Sequence, residues 1–322
     1  MGRSQALAQH YPPELFRRHL FRTPAVRHLA WLVNATPLLH VAPGGNAPIN
    51  RPGDLNARLQ ALDEQPQALL EHLAERGSRR LGLYFEQLYG YAMAAFLGQR
   101  ILAQNLALRV AGRTLGELDF LLQDLATGQV SHHEIAVKFY MGWQGVDPAA
   151  NPTAKAPGWY GPDTRDNLDA KLQRLREHQL PMWQGESGRA CLRERGLPSP
   201  DASVLALYGY LFQPMEGVGP RLPDVIGGRF GNHRWVDAEK NRQHLEENTY
   251  QVIIRKPDWL GPVQYPADFQ PESIQQGPLA GQLQHALNRS AVLVANIERT
   301  EEGFWLETGR RFLTPPGWCL DG

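Results

Sequence analysis

The chain has 322 residues, 42% of them apolar and 20% charged, which is the composition of a globular protein with a packed core. Lys and Arg number 33 and so do Asp and Glu, so no global basic field advertises a nucleic-acid partner, and any polyanion must meet a local patch. Two distant cysteines, Cys191 and Cys319, exclude a disulfide framework and a cysteine zinc site. No run approaches the roughly 18 apolar residues of a membrane span, and "MGRSQALAQHYPPELFRRHL" lacks the apolar centre of a signal peptide. The chain is therefore expected to be soluble and cytoplasmic, with no membrane partner.

Residues 1–78 are expected to form an N-terminal helical region. "TPAVRHLAWLVNATPLL" has a Thr-Pro start, and the stretch from Pro52 to Leu102 is rich in Leu, Ala, Glu and Gln at helical spacing. From Leu106 to Tyr140 the pattern changes to short runs of Val, Leu, Ile and Phe bounded by turns, which predicts a meander of about three strands. A Pro- and Gly-rich loop follows. "TRDNLDAKLQRLREHQL" then predicts an amphipathic helix capped by Asp163 or Thr164, and "DASVLALYGYLFQP" a buried strand. Helix, meander, helix and strand together predict an α/β core over 79–214. Residues 215–322 are richer in Gly, Pro and Trp. They are expected to form a smaller α+β module with strands at 250–255, 291–297 and 304–308 and a helix at 279–288.

The chemistry concentrates in "GELDFLLQDLATGQVSHHEIAVKFY", residues 116–140. Asp119 and Glu134 each sit in an apolar strand, where an isolated carboxylate is costly to bury. A metal ion, a salt bridge or solvent must offset that cost. Side chains alternate across a strand, so Glu134, Ala136 and Lys138 share a face, and pairing the two strands can gather Asp119, Glu134 and Lys138. Glu86 stands in the apolar helix "RLGLYFEQLYGYAMAAFL", where it needs either that cluster or a cation such as Arg79 or Arg80. Carboxylates beside a lysine suit Mg²⁺ or Mn²⁺, with the ammonium stabilising a phosphate.

His132 and His133 beside Glu134 raise a zinc reading, but neighbours on a strand point to opposite faces, and the two are expected in the turn. Arg165, Lys171 and Arg174 could approach phosphates from the following helix or form its solvated face, Lys171 being the best placed. Trp159, Tyr160, Trp235, Tyr250 and Trp259 could stack on bases beside Arg234, Arg255 and Lys256, or pack in a core. The glycines of "GVGP" and "IGGRFGN" match no nucleotide-binding loop.

The order of parts resembles the PD-(D/E)XK phosphodiesterase superfamily of restriction endonucleases, resolvases and repair nucleases. The resemblance implies a restriction-endonuclease-like αβββαβ core and a metal-dependent nuclease acting on DNA or RNA. It assigns Glu86 to the helix acid, Asp119 to the strand aspartate and Glu134 to the acid of the next strand. The lysine two residues after that acid is replaced by Ala136, and Lys138 stands two positions further, roughly 7 Å along the strand. The alternative is an inactive nuclease-like scaffold that binds nucleic acid or a protein. Over nearly its whole length the chain also resembles a bacterial family, domain of unknown function 1853, through "RHLAWLV", "HHEIAVKFY", "GPDTRDNLDAKLQRLREHQLP" and "LTPPGW".

Overall fold

The computed structural model describes residues 21–39, 51–75, 80–110, 113–147, 149–226, 233–241, 250–271 and 277–320. Residues 1–20, Arg79 and the glycines at 227–232 lie outside these residues. Helix α1 (Pro24–Asn34) opens on proline, whose missing N–H costs nothing in a first turn. The N–H groups of Arg22 and Thr23 donate to Asp63 of helix α2 (Leu55–Glu64), each at 2.8 Å. Helix α1 is buried on all sides from Ala25 to Val33, and each fully buried leucine contributes about 1.5–3 kcal/mol. Trp31 stacks on Tyr210 with ring centroids 5.7 Å apart, which seats the helix against the sheet. Helix α3 (Gln67–Ala74) leads to helix α4 (Leu81–Ala95), which packs Phe85, Leu88 and Tyr89 into the same core and carries Glu86 at its half-buried margin.

The helical pattern was expected to continue to Leu102, but it stops at Phe96. Gly98 takes a left-handed turn, with φ at 64°, and strand β1 (Gln99–Val110) begins directly after it. A short apolar run such as "RILAQ" fits a buried strand and a helix equally, so periodicity misplaced the boundary. Strands β2 (Arg113–Asp124) and β3 (Val130–Trp143) complete an antiparallel meander, with the short β4 (Gly158–Tyr160) against the far end of β3. Helix α5 (Leu168–Arg174) is capped by Asn167, whose side chain accepts from the Ala170 N–H at 3.0 Å. The caps expected at Asp163 or Thr164 belong instead to the preceding turn. Helix α5 passes into a π-helical turn (Leu175–Gln179), and helix α6 (Glu186–Glu194) leads to strand β5 (Ala202–Pro214), parallel to β3.

Strand β6 (Arg234–Asp237) pairs with the end of β5, so one sheet continues past residue 214. Strands β7 (Tyr250–Ile253), β8 (Gln264–Tyr265), β9 (Val292–Arg299) and β10 (Trp305–Thr314), with helix α7 (Gly277–Leu287), complete the fold. The expected C-terminal strands and helix are present; β10 extends to Thr314, six residues beyond its expected end. The ten-stranded mixed sheet runs β1-β2-β3-β5-β6-β10-β9-β7, with β4 on β3 and β8 on β10. One face of its first half packs on α1 and α4, the other on α5, the π turn and α6. Gly209 of β5 lies opposite Lys138, with φ at 130°, and a Cβ there would run into the Lys138 carbonyl.

Candidate functional site

The β2–β3 ladder ends at the pair Phe120 and His133. One step further, Asp119 replaces the ladder with its side chain: Oδ2 accepts the Ile135 N–H at 2.8 Å. Asp119 and Glu134 therefore face each other across diverging strands. The β1–β2 register sets Asn105 opposite Asp119, because Gln104 pairs with Phe120 and Leu106 with Leu118. Asn105 takes a left-handed conformation, φ 53°, which asparagine tolerates better than most residues. Its amide donates to Glu86, as does that of Gln104 at 2.9 Å.

These carboxylates interact. Burial, and after it the charge of Glu134, push the Asp119 carboxyl up to about 7; the Ile135 N–H opposes the rise, Glu86 adds to it, and Lys171 opposes it. The group therefore keeps its proton to a higher pH than an ordinary aspartate does. A carboxylate in this state lacks enough positive charge around it.

Glu134 is fully buried. Its Oε1 lies 3.0 Å from His132 Nε2, and its Oε2 accepts from Gln179 Nε2 at 2.9 Å. Gln179 in turn accepts from the Lys171 ammonium at 3.3 Å, so Lys171, Gln179 and Glu134 form a relay from α5 to β3. On a regular helix a residue eight positions on lies about 80° away, whereas the extra residue of the π turn returns Gln179 toward the face of Lys171. Burial, then the charge of Lys138, lower the pKa of Lys171, and Glu134 and Asp119 partly restore it.

Lys138 turns elsewhere. Its ammonium bonds Asp166 at 2.6 Å, and Asp166 also accepts from the Tyr140 hydroxyl at 3.1 Å. The charges of Glu134, Glu86 and Lys171 all act on Asp119, whereas Lys138 is held by Asp166. Arg165 is exposed and bound to Asp163 at 2.7 Å.

The two histidines lie within β3, not in the turn, and both are buried. His133 bridges Tyr89 at 2.7 Å and Ser131 at 2.8 Å, and burial, then the charge of His132, hold it down at about 3. It is a neutral core residue. His132, two residues before Glu134, shares that residue's face as strand alternation requires, and its Nδ1 has no hydrogen-bond partner among the described residues. Trp159, Trp235 and Trp259 pack into the cores or against them, and Tyr250 sits edge-on to Trp305.

Among the described residues no three His, Cys, Asp or Glu side chains are placed to hold a metal ion by themselves. A family model for a domain of unknown function, DUF1853, matches residues 27–314. The chain belongs to this family. No curated protein and no solved structure matches it. For this DUF1853 chain, sequence reasoning missed Gln179, Asn105 and Asp166. Gln179 had no signal, because only the π turn brings it into line, whereas His132, expected in the turn, carried one in its position two residues before Glu134.

Proposed function

We propose that this cluster is the metal centre of a phosphodiester hydrolase acting on DNA or RNA. Asp119 and Glu134 hold Mg²⁺ or Mn²⁺, Glu86 adds negative potential at the rim, and Lys171, in place of Lys138, faces the phosphate. The observation that carries this reading is Asp119, held on the Ile135 N–H, set on the strand beside the fully buried Glu134 so that the two acids repel. Two acids forced together without full compensation favour a hard cation. Magnesium sites commonly use one or two carboxylates and leave the remaining positions to water and substrate phosphates, so a set of three protein ligands is not required. Asp119 Oδ1 makes no hydrogen bond among the described residues, which leaves it available to an ion. The order from Leu81 to Pro214 adds support: helix, three antiparallel strands, the short β4, helices α5 and α6, and a parallel strand, which contains the order expected of the nuclease-like superfamily with β4 and α6 added.

The bound ion would supply charge stabilisation to the phosphoryl oxygens. Lys171 places a second positive charge beside the reacting phosphate, where it stabilises charge that develops in the transition state. Gln179 holds Lys171 and Glu134 in fixed relation, and His132 fixes the other Glu134 oxygen.

The scaffold reading has one observation in its favour: both Glu134 oxygens already have protein partners, so an ion must share or displace Gln179. A cleavage assay separates the two. Wild type, Asp119→Asn and Lys171→Ala are given single-stranded, duplex and branched DNA and RNA with Mn²⁺. Hydrolysis requires wild-type cleavage and about a 100-fold loss in each variant. Cleavage unchanged in Asp119→Asn, or no cleavage of any substrate by wild type, counts for the scaffold.

A further inference from the structure

Strand β3 is paired with β2 only as far as His133, and with β4 only from Met141. Between them, residues Ile135–Lys138 are half-buried. A cavity of about 780 Å³ opens over this gap, floored by Ile135, Val137 and Phe139 and walled by Lys138, Lys256 and Trp259. Asp119 accepts the backbone N–H of Ile135, one of the residues that line the cavity, so the two meet at the edge of β3 that β2 leaves.

The charged residues that line this cavity are Arg80, Lys138, Asp163, Asp166 and Lys256. Asp166 is bound to Lys138 and Asp163 to Arg165. Lys256 has no carboxylate partner among the described residues; its ammonium lies 4.6 Å over the Trp259 ring, and burial alone lowers its pKa. The residue is exposed at the cavity wall, so its ammonium is open to an incoming anion. Nor does its loop wave freely. Arg310 donates to the carbonyls of Trp259 at 2.6 Å and Gly261 at 2.8 Å, His28 lies 3.1 Å from Asp258, and Trp259 donates to the Ile254 carbonyl at 2.9 Å.

We infer that this cavity is a strand-binding groove in which Lys256 takes a backbone phosphate of a single-stranded nucleic acid, next to the phosphodiester presented to Asp119 and Glu134. The inference rests on the proposed hydrolase reading for its substrate class. A volume of 780 Å³ lies within the range of drug-sized pockets, about 300–1,000 Å³, which suits a short stretch of one strand and not a duplex. The apolar floor suits bases, and the Lys256 ammonium suits the backbone.

Binding can be read without cleavage. Fluorescein-labelled single-stranded DNA and RNA, and a duplex, are titrated with full-length protein in EDTA, and anisotropy is followed across a salt series. Lys256→Ala is expected to weaken single-strand binding about five- to tenfold and to lower the salt slope by about 0.7, the contribution of one phosphate contact. Lys256→Arg should restore both. Asp119→Asn should bind at least as tightly as wild type, because it removes a negative charge; binding of this pattern without any cleavage upholds the groove while the hydrolase reading falls. The groove is refuted if Lys256→Ala keeps wild-type affinity and slope, if the duplex binds more tightly, or if Lys256→Arg fails to rescue. It is also refuted if inorganic phosphate displaces the strand more effectively than chloride at matched ionic strength and the strand binds no more tightly than phosphate.

Discussion

Replacing Asp119 with asparagine should stabilise the protein at neutral and alkaline pH and leave its stability near pH 4 unchanged. The folded carboxyl sits at about 7, against an ordinary 3.8, so from about pH 4 to 7 the folded state binds more protons than the unfolded chain. Stability from this group is therefore present below pH 4 and is lost as pH rises through 7. The full difference corresponds to about 4 kcal/mol, which partial solvent screening reduces to about 2–4 kcal/mol. Asparagine keeps an oxygen that can accept the Ile135 N–H, so little is lost in exchange. Denaturant titrations in EDTA at intervals from pH 4 to 8.5 measure the difference between variant and wild type, which cancels other titrating groups. Parallel pH profiles, or a variant less stable at pH 8, would refute the account of two uncompensated acids.

Three further outcomes follow from the same geometry. Lys171→Met removes a positive charge that lowers the Asp119 pKa, so the pH at which wild-type stability falls should move upward in that variant, whereas a downward move would place Lys171 outside the cluster. Arg310→Met leaves the fully buried Glu307 without its partner at 2.6 Å and should cost about 3–5 kcal/mol, with much of the loss recovered by the added change Glu307→Leu; equal melting of single and double variants would contradict this. Gly209→Ala sets a methyl against the Lys138 carbonyl in a backbone conformation that suits glycine, so the variant should lose several kcal/mol or fail to fold; a melting temperature like that of wild type would show that β3 and β5 can separate at no cost.

Much of the fold was legible because its strands carry strong local signals. The alternating apolar runs of β2 and β3, the continuous apolar run of β5 and the C-terminal strands were all found from pattern alone. Strand β1 was assigned in part to helix, because its first residues follow Gly98 without a change of composition. Short strands such as β4 and β6 exist only through their partners, so no local signal marks them. At the candidate site, Asp119 and Glu134 stood out as acids in apolar runs, and the structure sets them on neighbouring strands with their charges interacting. The lysine is the instructive difference. Strand periodicity pointed to Lys138, but Asp166, 28 residues away in the chain, captures its ammonium, and α5 brings Lys171 to the acids in its place. Neither event has a local signature, since each depends on the path of the loop between β3 and α5.

The central claim is that Asp119 and Glu134 form a site for a hard divalent cation. Mn²⁺ binding, followed by loss of the free-ion paramagnetic resonance signal at neutral pH, tests it for wild type and for Asp119→Asn. The account predicts a saturable site in wild type, displaced by Mg²⁺, that is lost or weakened at least about tenfold in the variant. Equal Mn²⁺ uptake by the two proteins, or no saturable uptake by wild type, would contradict it.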